Sequence, residues 1–341
     1  MILALDVYEG VFMKFTEAML DAYSQPLSAT EEQHCRNAIR LVSDSLKKLG
    51  FTDDGKEIRA IYPDTYSYSL QLRNINKNRE IKLLVQGSYA NNTNVRTQSD
   101  VDIAVIQEEV FNTQYRTYGN PPQSDANYHF DRITYPPKSF KDEVQVCLEA
   151  DFGTDVERKN KSIKIHGNTY RKDTDTVPCR RYRDYRNDYL NNVNNYVGGI
   201  IIFPDKGSFI INYPEQHIKN GREKNINTHQ YYKKYVRIMK KMRYLMQEEE
   251  KGVFQKAAQG VSSFMLESLL WNIEDQWYLD NCGRYRKVYV FKLMIEFLLV
   301  NQNNFKSYKE ANGIKPLCRD DTEFQKLNFF VKALHEFYSY E

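Results

Sequence analysis

The stretch Lys82 to Ile106, KLLVQGSYANNTNVRTQSDVDIAVI, constrains the fold more than any other part of the chain. Two short apolar runs enclose a Gly-Ser pair and an alternating pair of aspartates. Lys82 to Gln86 is largely apolar and ends at Gly87, which reads as a strand delivering the backbone into a tight turn. Gly87 permits close backbone approach, and Ser88 adds a hydroxyl donor. A helix beginning beside them would aim its free N–H groups at phosphate oxygens. The polar run Asn91 to Ser99 reads as a connection. Val101 to Ile106 then reads as a second strand, which puts Asp100 and Asp102 on one face and Val101 and Ile103 on the other.

Two carboxylates side by side do not both ionise cheaply unless positive charge lies between them. A divalent cation supplies that charge, and hard oxygen ligands suit Mg²⁺, which takes a few carboxylates plus substrate phosphates. An Asp-x-Asp pair alone reads more readily as a solvated acidic edge strand. The strand-Gly-Ser turn upstream of it shifts the reading to a metal-nucleotide site. Further on, Ser162 to His166 and Tyr170 to Val177 read as consecutive strands around Gly167-Asn168. The second carries Asp173 and Asp175 on one face, and two-metal phosphoryl transfer wants a third carboxylate on a strand beside the first two.

These residues resemble a known superfamily. Gly87-Ser88 followed by Asp100-Val101-Asp102 resembles the G-S…D-x-D signature of the polymerase-β-like nucleotidyltransferases. The wider wording, GSYANNT then DVDI, is most similar to the bacterial relatives of cyclic GMP-AMP synthase, the CD-NTases of CBASS anti-phage systems. Asp175-Thr176-Val177-Pro178 matches the Asp-x-Val-Pro place where that family puts its third carboxylate, so the resemblance assigns the metal to Asp100, Asp102 and Asp175, with Asp175 preferred to Asp173. The segment Phe209-Ile210-Ile211-Asn212-Tyr213-Pro214-x-x-His217 resembles the family's approach to its second lobe. It implies that Asn212 lies near the acceptor base, where an amide offers both donor and acceptor and suits a pyrimidine such as uracil. Tyr232, Tyr235, Val236, Met239 and Met242 form a helical apolar stripe, with Lys233, Arg237 and Lys240 on another face. Followed by Ser262-Ser263-Phe264, this resembles the family's nucleotide grip and implies Lys240 and Ser263 on phosphates and Phe264 stacked on the donor base.

The fold these readings imply is α/β: a polymerase-β-like nucleotidyltransferase palm with a mixed sheet and an N-terminal spine helix over residues 1–215, and a helical C-terminal lobe over 216–341. The activity implied is template-independent joining of NTPs, ATP with UTP or GTP, into a cyclic dinucleotide or cyclic oligonucleotide second messenger. The cofactor expected is Mg²⁺, with Mn²⁺ as its substitute, and the resemblance admits regulatory partner proteins encoded nearby. The alternatives are the same chemistry on an RNA or tRNA end, and a nucleotide-binding regulator with an incomplete acidic cluster.

Charge and cysteine usage bear on partners and compartment. A net charge of +3 over 341 residues is small for a protein gripping long nucleic acid, and no zinc-binding insertion is present, so no duplex activator is expected. The basic clusters Arg158 to Lys164 and Arg180 to Arg186 read equally well as solvated faces. Cys35, Cys147, Cys179, Cys282 and Cys318 lack zinc-site spacing and suit a reducing cytoplasm. No leader and no long apolar run is read, so no membrane partner is expected. Helices are expected over Leu5 to Tyr23, from a capping box at Ser28 to Gly50, over Phe140 to Phe152, and over Phe264 to Ile273, Tyr285 to Val300 and Phe324 to Tyr338. Glu108 to Ser139 reads as an irregular surface segment.

Overall fold

The structure, a computed structural model, describes residues 14–95, 100–131, 139–250 and 252–339. One compact unit contains Ser28–Asn91 and the described residues of Ser99–Ile218; the other contains the described residues of Met1–Leu27, Asn92–Gln98 and Lys219–Glu341.

Among its described residues the first unit is built on nine strands: β1 (Arg59–Ala60), β2 (Tyr68–Asn74), β3 (Arg79–Gln86), β4 (Val101–Gln114), β5 (Val156–Arg158), β6 (Ile163–Ile165), β7 (Thr174–Asp184), β8 (Val197–Ile202) and β9 (Ile210–Asn212). Their order is β1-β2-β3-β4-β7-β6-β5, with β8 also pairing β7 and β9 beyond it. The β3–β4 pair is antiparallel and the β4–β7 pair parallel, so the sheet is mixed, as expected.

The helices are α1 (Glu17–Tyr23), α2 (Ala29–Lys47), α3 (Gly87–Ala90), α4 (Ser139–Phe152), α5 (Pro214–Asn227), α6 (Tyr231–Glu248), α7 (Gly252–Gln259), α8 (Ser263–Trp271), α9 (Asp275–Asn281), α10 (Lys287–Val300) and α11 (Asp321–Ser339). The capping box read at Ser28 starts α2: the Glu31 N–H donates to Ser28 Oγ at 3.3 Å, and the Ser28 N–H donates to Glu31 Oε2 at 3.1 Å. Such a cap is worth about 1 kcal/mol. The face of α2 carrying Cys35, Ala38, Ile39, Val42 and Leu46 is buried. Helices α2 and α4 pack on each other and on β4 and β7 respectively. The expected helix from Leu5 is observed only over Glu17–Tyr23; Leu5 to Met13 lie outside the described residues.

Two strands run further than their sequences suggest. β4 continues to Gln114, where an irregular segment from Glu108 was expected. The reason is tertiary: the second half of β7 gives it a partner, with Asn112 opposite Tyr182 and Gln114 opposite Asp184. β7 itself passes through Pro178 to Asp184. On its other side β6 pairs with Thr174 to Thr176 and β8 with Arg180 to Asp184. Pro178 falls in the interval between them, where a missing N–H is tolerated.

In the helical unit, Tyr232, Tyr235, Val236, Met239 and Met242 are all at most 2% exposed and join a core with Leu266, Leu269, Leu270, Met294 and Leu298. Each such side chain contributes roughly 1.5–3 kcal/mol by leaving water. The five cysteines are free and buried. Among the described residues no helix is long and apolar enough to cross a membrane.

Candidate active site

The strand register assembles the acidic row. Gln86, the last residue of β3, lies opposite Asp102 on β4. Asp102 in turn is the parallel partner of Asp175 on β7, and Asp175 is the antiparallel partner of Lys164 on β6. Residues directly opposite one another project to the same face of a sheet. Gln86, Asp102, Asp175 and Lys164 therefore form one transverse row, and Asp100 precedes Asp102 by two positions on that face. Val101 and Ile103, pointing the other way, are fully buried and fix the strand's orientation.

Gly87 follows Gln86 in the left-handed region, at φ +69°. A Cβ there would collide with Asp102 Oδ2 and come within 3.1 Å of Asp102 Cγ. The turn thus needs glycine twice, for its backbone angle and for the space the carboxylate occupies. The chain then forms the short helix α3, anchored by the buried Tyr89 and Ala90. Asn91 closes it, its Nδ2 donating to the Gly87 carbonyl at 2.8 Å and lying 3.3 Å from His217 Nδ1. Ser88 is half-buried in the first turn. Gly87→Ala is expected to cost about 1–2 kcal/mol of stability from the strained φ and, by displacing Asp102, about a hundredfold in turnover. Paired melting and steady-state measurements check it: an active alanine variant would place the working carboxylate elsewhere.

The carboxylates have separate partners. Lys164 Nζ reaches Asp100 Oδ2 at 3.1 Å and Asp173 Oδ2 at 2.7 Å. Asp173 Oδ1 also accepts from the Gly167 N–H at 2.6 Å, and Asp175 Oδ1 accepts from Ser162 Oγ at 3.1 Å. The bond it donates to Asp173, opposed by burial and joined by the bond it donates to Asp100, holds the Lys164 ammonium above the usual lysine range. Burial acts to raise the Asp173 pKa, but Lys164 and the Gly167 N–H outweigh it and hold the carboxyl below its ordinary value. Among the described residues no three acidic, histidine or cysteine side chains close into a metal-holding group. The backbone brings Asp102 and Asp175 together, while Asp100 leans on Lys164. The donor chemistry nonetheless fits Mg²⁺: three carboxylates on one face of two neighbouring strands, beside a glycine that leaves room for one of them.

The sequence places Lys164 in a basic cluster and in the strand Ser162 to His166 but gives it no role at the site. The sequence signal that could have found it is its place in the strand before Asp175.

Asn212 lies elsewhere on the same unit. It pairs with Ile200, which faces Arg181 on β7. Arg181 is six residues beyond Asp175, roughly 20 Å along an extended strand. Near it is a polar cavity of about 430 Å³ lined by Lys82, Glu108, Arg181 and Glu215 among others. Those four charges pair with one another: Lys82 with Glu215 at 2.6 Å, and Arg181 with Glu215 at 3.0 Å and Glu108 at 2.5 Å.

In the helical unit, the cationic face of α6 turns inward. Lys233, Arg237 and Lys240 are 6%, 5% and 2% exposed. Arg237 donates to the carbonyls of Ser24 and Asn92. Lys240 Nζ donates to Glu267 Oε2 at 2.6 Å and Thr93 Oγ1 at 2.9 Å, and the Thr93 hydroxyl donates to Glu267 at 2.7 Å. The charge expected to face phosphate is paired inside the unit in this structure. The physical reason is Glu267, placed on α8 four residues after Ser263. Ser263 and Phe264 occupy the first turn of α8 behind the cap made by Ser262, whose Oγ accepts from the Met265 N–H; Phe264 is 37% exposed.

Comparison with known proteins shows the family of the chain. A family model described as the cGAS/DncV-like nucleotidyltransferase C-terminal helical domain matches residues 219–339. A second, described as the nucleotidyltransferase domain, matches residues 70–167, which include Gly87, Ser88, Asp100, Asp102 and Lys164. The chain is 44% identical over 331 residues to a cyclic GMP-AMP synthase, CdnE03, of Staphylococcus schleiferi, covering 96% of this chain and 98% of that one. It is 31% identical to a cyclic dipurine nucleotide synthase of Elizabethkingia meningoseptica, covering 89% and 90%. A solved structure of the Elizabethkingia meningoseptica CdnE cyclic dinucleotide synthase with GTP and Apcpp superposes with a TM-score of 0.67 at 27% identity, over 94% of this chain and 97% of that one. By the match of its helical unit and by its identity to these synthases over nearly its whole length, the chain belongs to the cGAS/DncV-like nucleotidyltransferases, the CD-NTase family.

Proposed function

We propose that the protein is a template-independent, Mg²⁺-dependent synthase that joins two nucleoside triphosphates into a cyclic dinucleotide. The observation that carries this reading is the register that makes Asp102 and Asp175 neighbours on one face beside Gly87. Asp100, Asp102 and Asp175 would hold the metal, with Mn²⁺ as a substitute. When bound, the cation neutralises phosphate charge and lowers the pKa of the attacking hydroxyl.

The protein's own groups position the reactants. The N–H groups of the Gly87–Ser88 turn and the Ser88 hydroxyl bind phosphate oxygens of the donor. The acceptor ribose hydroxyl attacks the donor α-phosphorus; the new O–P bond forms as the bond to the β-phosphate breaks and pyrophosphate leaves. The hydroxyl proton passes toward the Asp175 carboxylate. A second round on the linear intermediate closes the ring. Little covalent help is needed, so placement and charge neutralisation supply most of the rate. The resemblance to the CD-NTases of CBASS systems is what supports a role in anti-phage defence inside the cytoplasm.

Two features bear on the bases. The relative sharing 44% identity is named a cyclic GMP-AMP synthase, which favours two purines. The Asn212 amide, able to donate and accept, favours uracil at one position, and relatives named cyclic dipyrimidine nucleotide synthase and cyclic UMP-AMP synthase supply precedents. Mass spectrometry of products from ATP paired with GTP, UTP or CTP in Mg²⁺ tests both. A cyclic product in any pairing supports the function, and purine-only products remove the uracil role of Asn212. Extension of an RNA primer would replace the reading by an RNA-tailing enzyme. Absence of pyrophosphate under every pairing would leave a nucleotide-binding regulator.

A further inference from the structure

Lys164 is the one residue in the transverse row with a charge opposite to that of the aspartates. Its neighbours Ile163 and Ile165 are 0% and 1% exposed, which pins β6 and directs the intervening side chain to the acidic face. β6 is held on both edges, by β5 and by β7. The Lys164 side chain is also the most enclosed of the three, 19% exposed against 41% for Asp100 and 37% for Asp173. A lysine has three donors, and here Asp100 and Asp173 each take one. The positive charge therefore sits in a fixed place, hydrogen-bonded to a carboxylate that the proposed function gives to the cation.

We propose that Lys164 is a built-in counter-cation: it holds the Asp100 carboxylate while no metal is bound, and a divalent cation must win that carboxylate from it. The inference rests on the reading of Asp100, Asp102 and Asp175 as a cation site. The lysine also offsets part of the repulsion among carboxylates gathered on one sheet face. This role makes Lys164 a positioning residue, setting how much free cation the enzyme needs before its acidic row is organised. Asp173 belongs to the same device. Anchored by the Gly167 N–H, it gives the released ammonium a carboxylate to remain with once Asp100 turns away.

The test uses Mg²⁺ alone, without nucleotide, and reads the thermal midpoint of the full chain as MgCl₂ is raised. Lys164→Met and Lys164→Gln remove the charge; Lys164→Arg keeps it. The two neutral variants should melt below wild type without Mg²⁺ and reach half of their Mg²⁺-induced stabilisation at about tenfold lower concentration, because a competing charge at hydrogen-bond distance is gone. Lys164→Arg should follow wild type. Equal Mg²⁺ midpoints for wild type and a folded neutral variant overturn the counter-cation role and leave the cation site standing. A Mg²⁺ effect in neither protein removes the cation site and the inference with it. Nucleotide-product assays run separately keep a failure of the proposed chemistry distinct from both.

Discussion

Asp102→Asn is expected to lower the rate of product formation at least about a thousandfold, a barrier increase of roughly 4 kcal/mol. Asparagine is close to isosteric with aspartate, so it retains the shape beside Gly87 and removes only the charge. The side chain stands at the centre of the row, opposite Gln86 on one strand and Asp175 on the other. A full negative charge there is needed to gather positive charge against the triphosphate. Folding has the opposite dependence, because removing one of several neighbouring carboxylates relieves repulsion. The melting temperature should therefore stay level or rise by about 1–3 °C, as is common when a functional site is neutralised. Asp175→Asn should behave in the same way. Turnover within tenfold of wild type in a folded Asp102→Asn protein would end the case for this row as the catalytic site.

Much of this site could be read from residues, and the parts that could not have identifiable causes. Gly87, Ser88, Asp100 and Asp102 lie on local structure, a strand, a tight turn and a second strand, whose signals are carried within Lys82 to Ile106. The capping box at Ser28 and the stripe on α6 were legible for the same reason. The β4–β7 pairing joins residues about seventy positions apart, and no local pattern records a parallel register, so the chemistry of the site and the family resemblance, not local structure, pointed to Asp175 beside Asp102. Lys164 was lost to a turn. A two-residue turn at Gly167-Asn168 would have paired Lys164 with Arg171, whereas the observed hairpin pairs it with Asp175. The longer connection is held by Asn168, whose Oδ1 accepts the Tyr170 and Arg171 N–H groups, and by Asp173 on Gly167. Pro178 looked like the end of a strand and is instead its middle. The pairing of Lys240 was not legible either: a lysine on a helix face is ordinarily solvated, and the tertiary placement of Glu267 makes it internal.

Glu267→Ala is the substitution expected to cost most in stability, about 3–5 kcal/mol, or on the order of 10 °C in melting temperature. Glu267 is 1% exposed and Lys240 2%, so removing the carboxylate leaves a buried ammonium that, among the described residues, keeps the Thr93 hydroxyl as its hydrogen-bond partner. The damage should reach function as well as folding. Thr93 lies in the connection between α3 and β4, the chain that leads from the Gly-Ser turn to Asp100, and the Lys240–Glu267 pair holds it by two hydrogen bonds. The double variant Lys240→Met with Glu267→Leu removes both charges and fills the space, and it should recover most of the lost stability, since a buried ion pair contributes little beyond what matched apolar groups supply. That variant also separates two roles for Lys240. If the lysine only completes the interior of the helical unit, the stable double variant should keep the KM for nucleoside triphosphate within about threefold of wild type, a difference under 1 kcal/mol. A stable double variant with KM raised tenfold or more, and the acidic row intact, would return Lys240 to the phosphates and mean that its bond to Glu267 is exchanged when nucleotide binds.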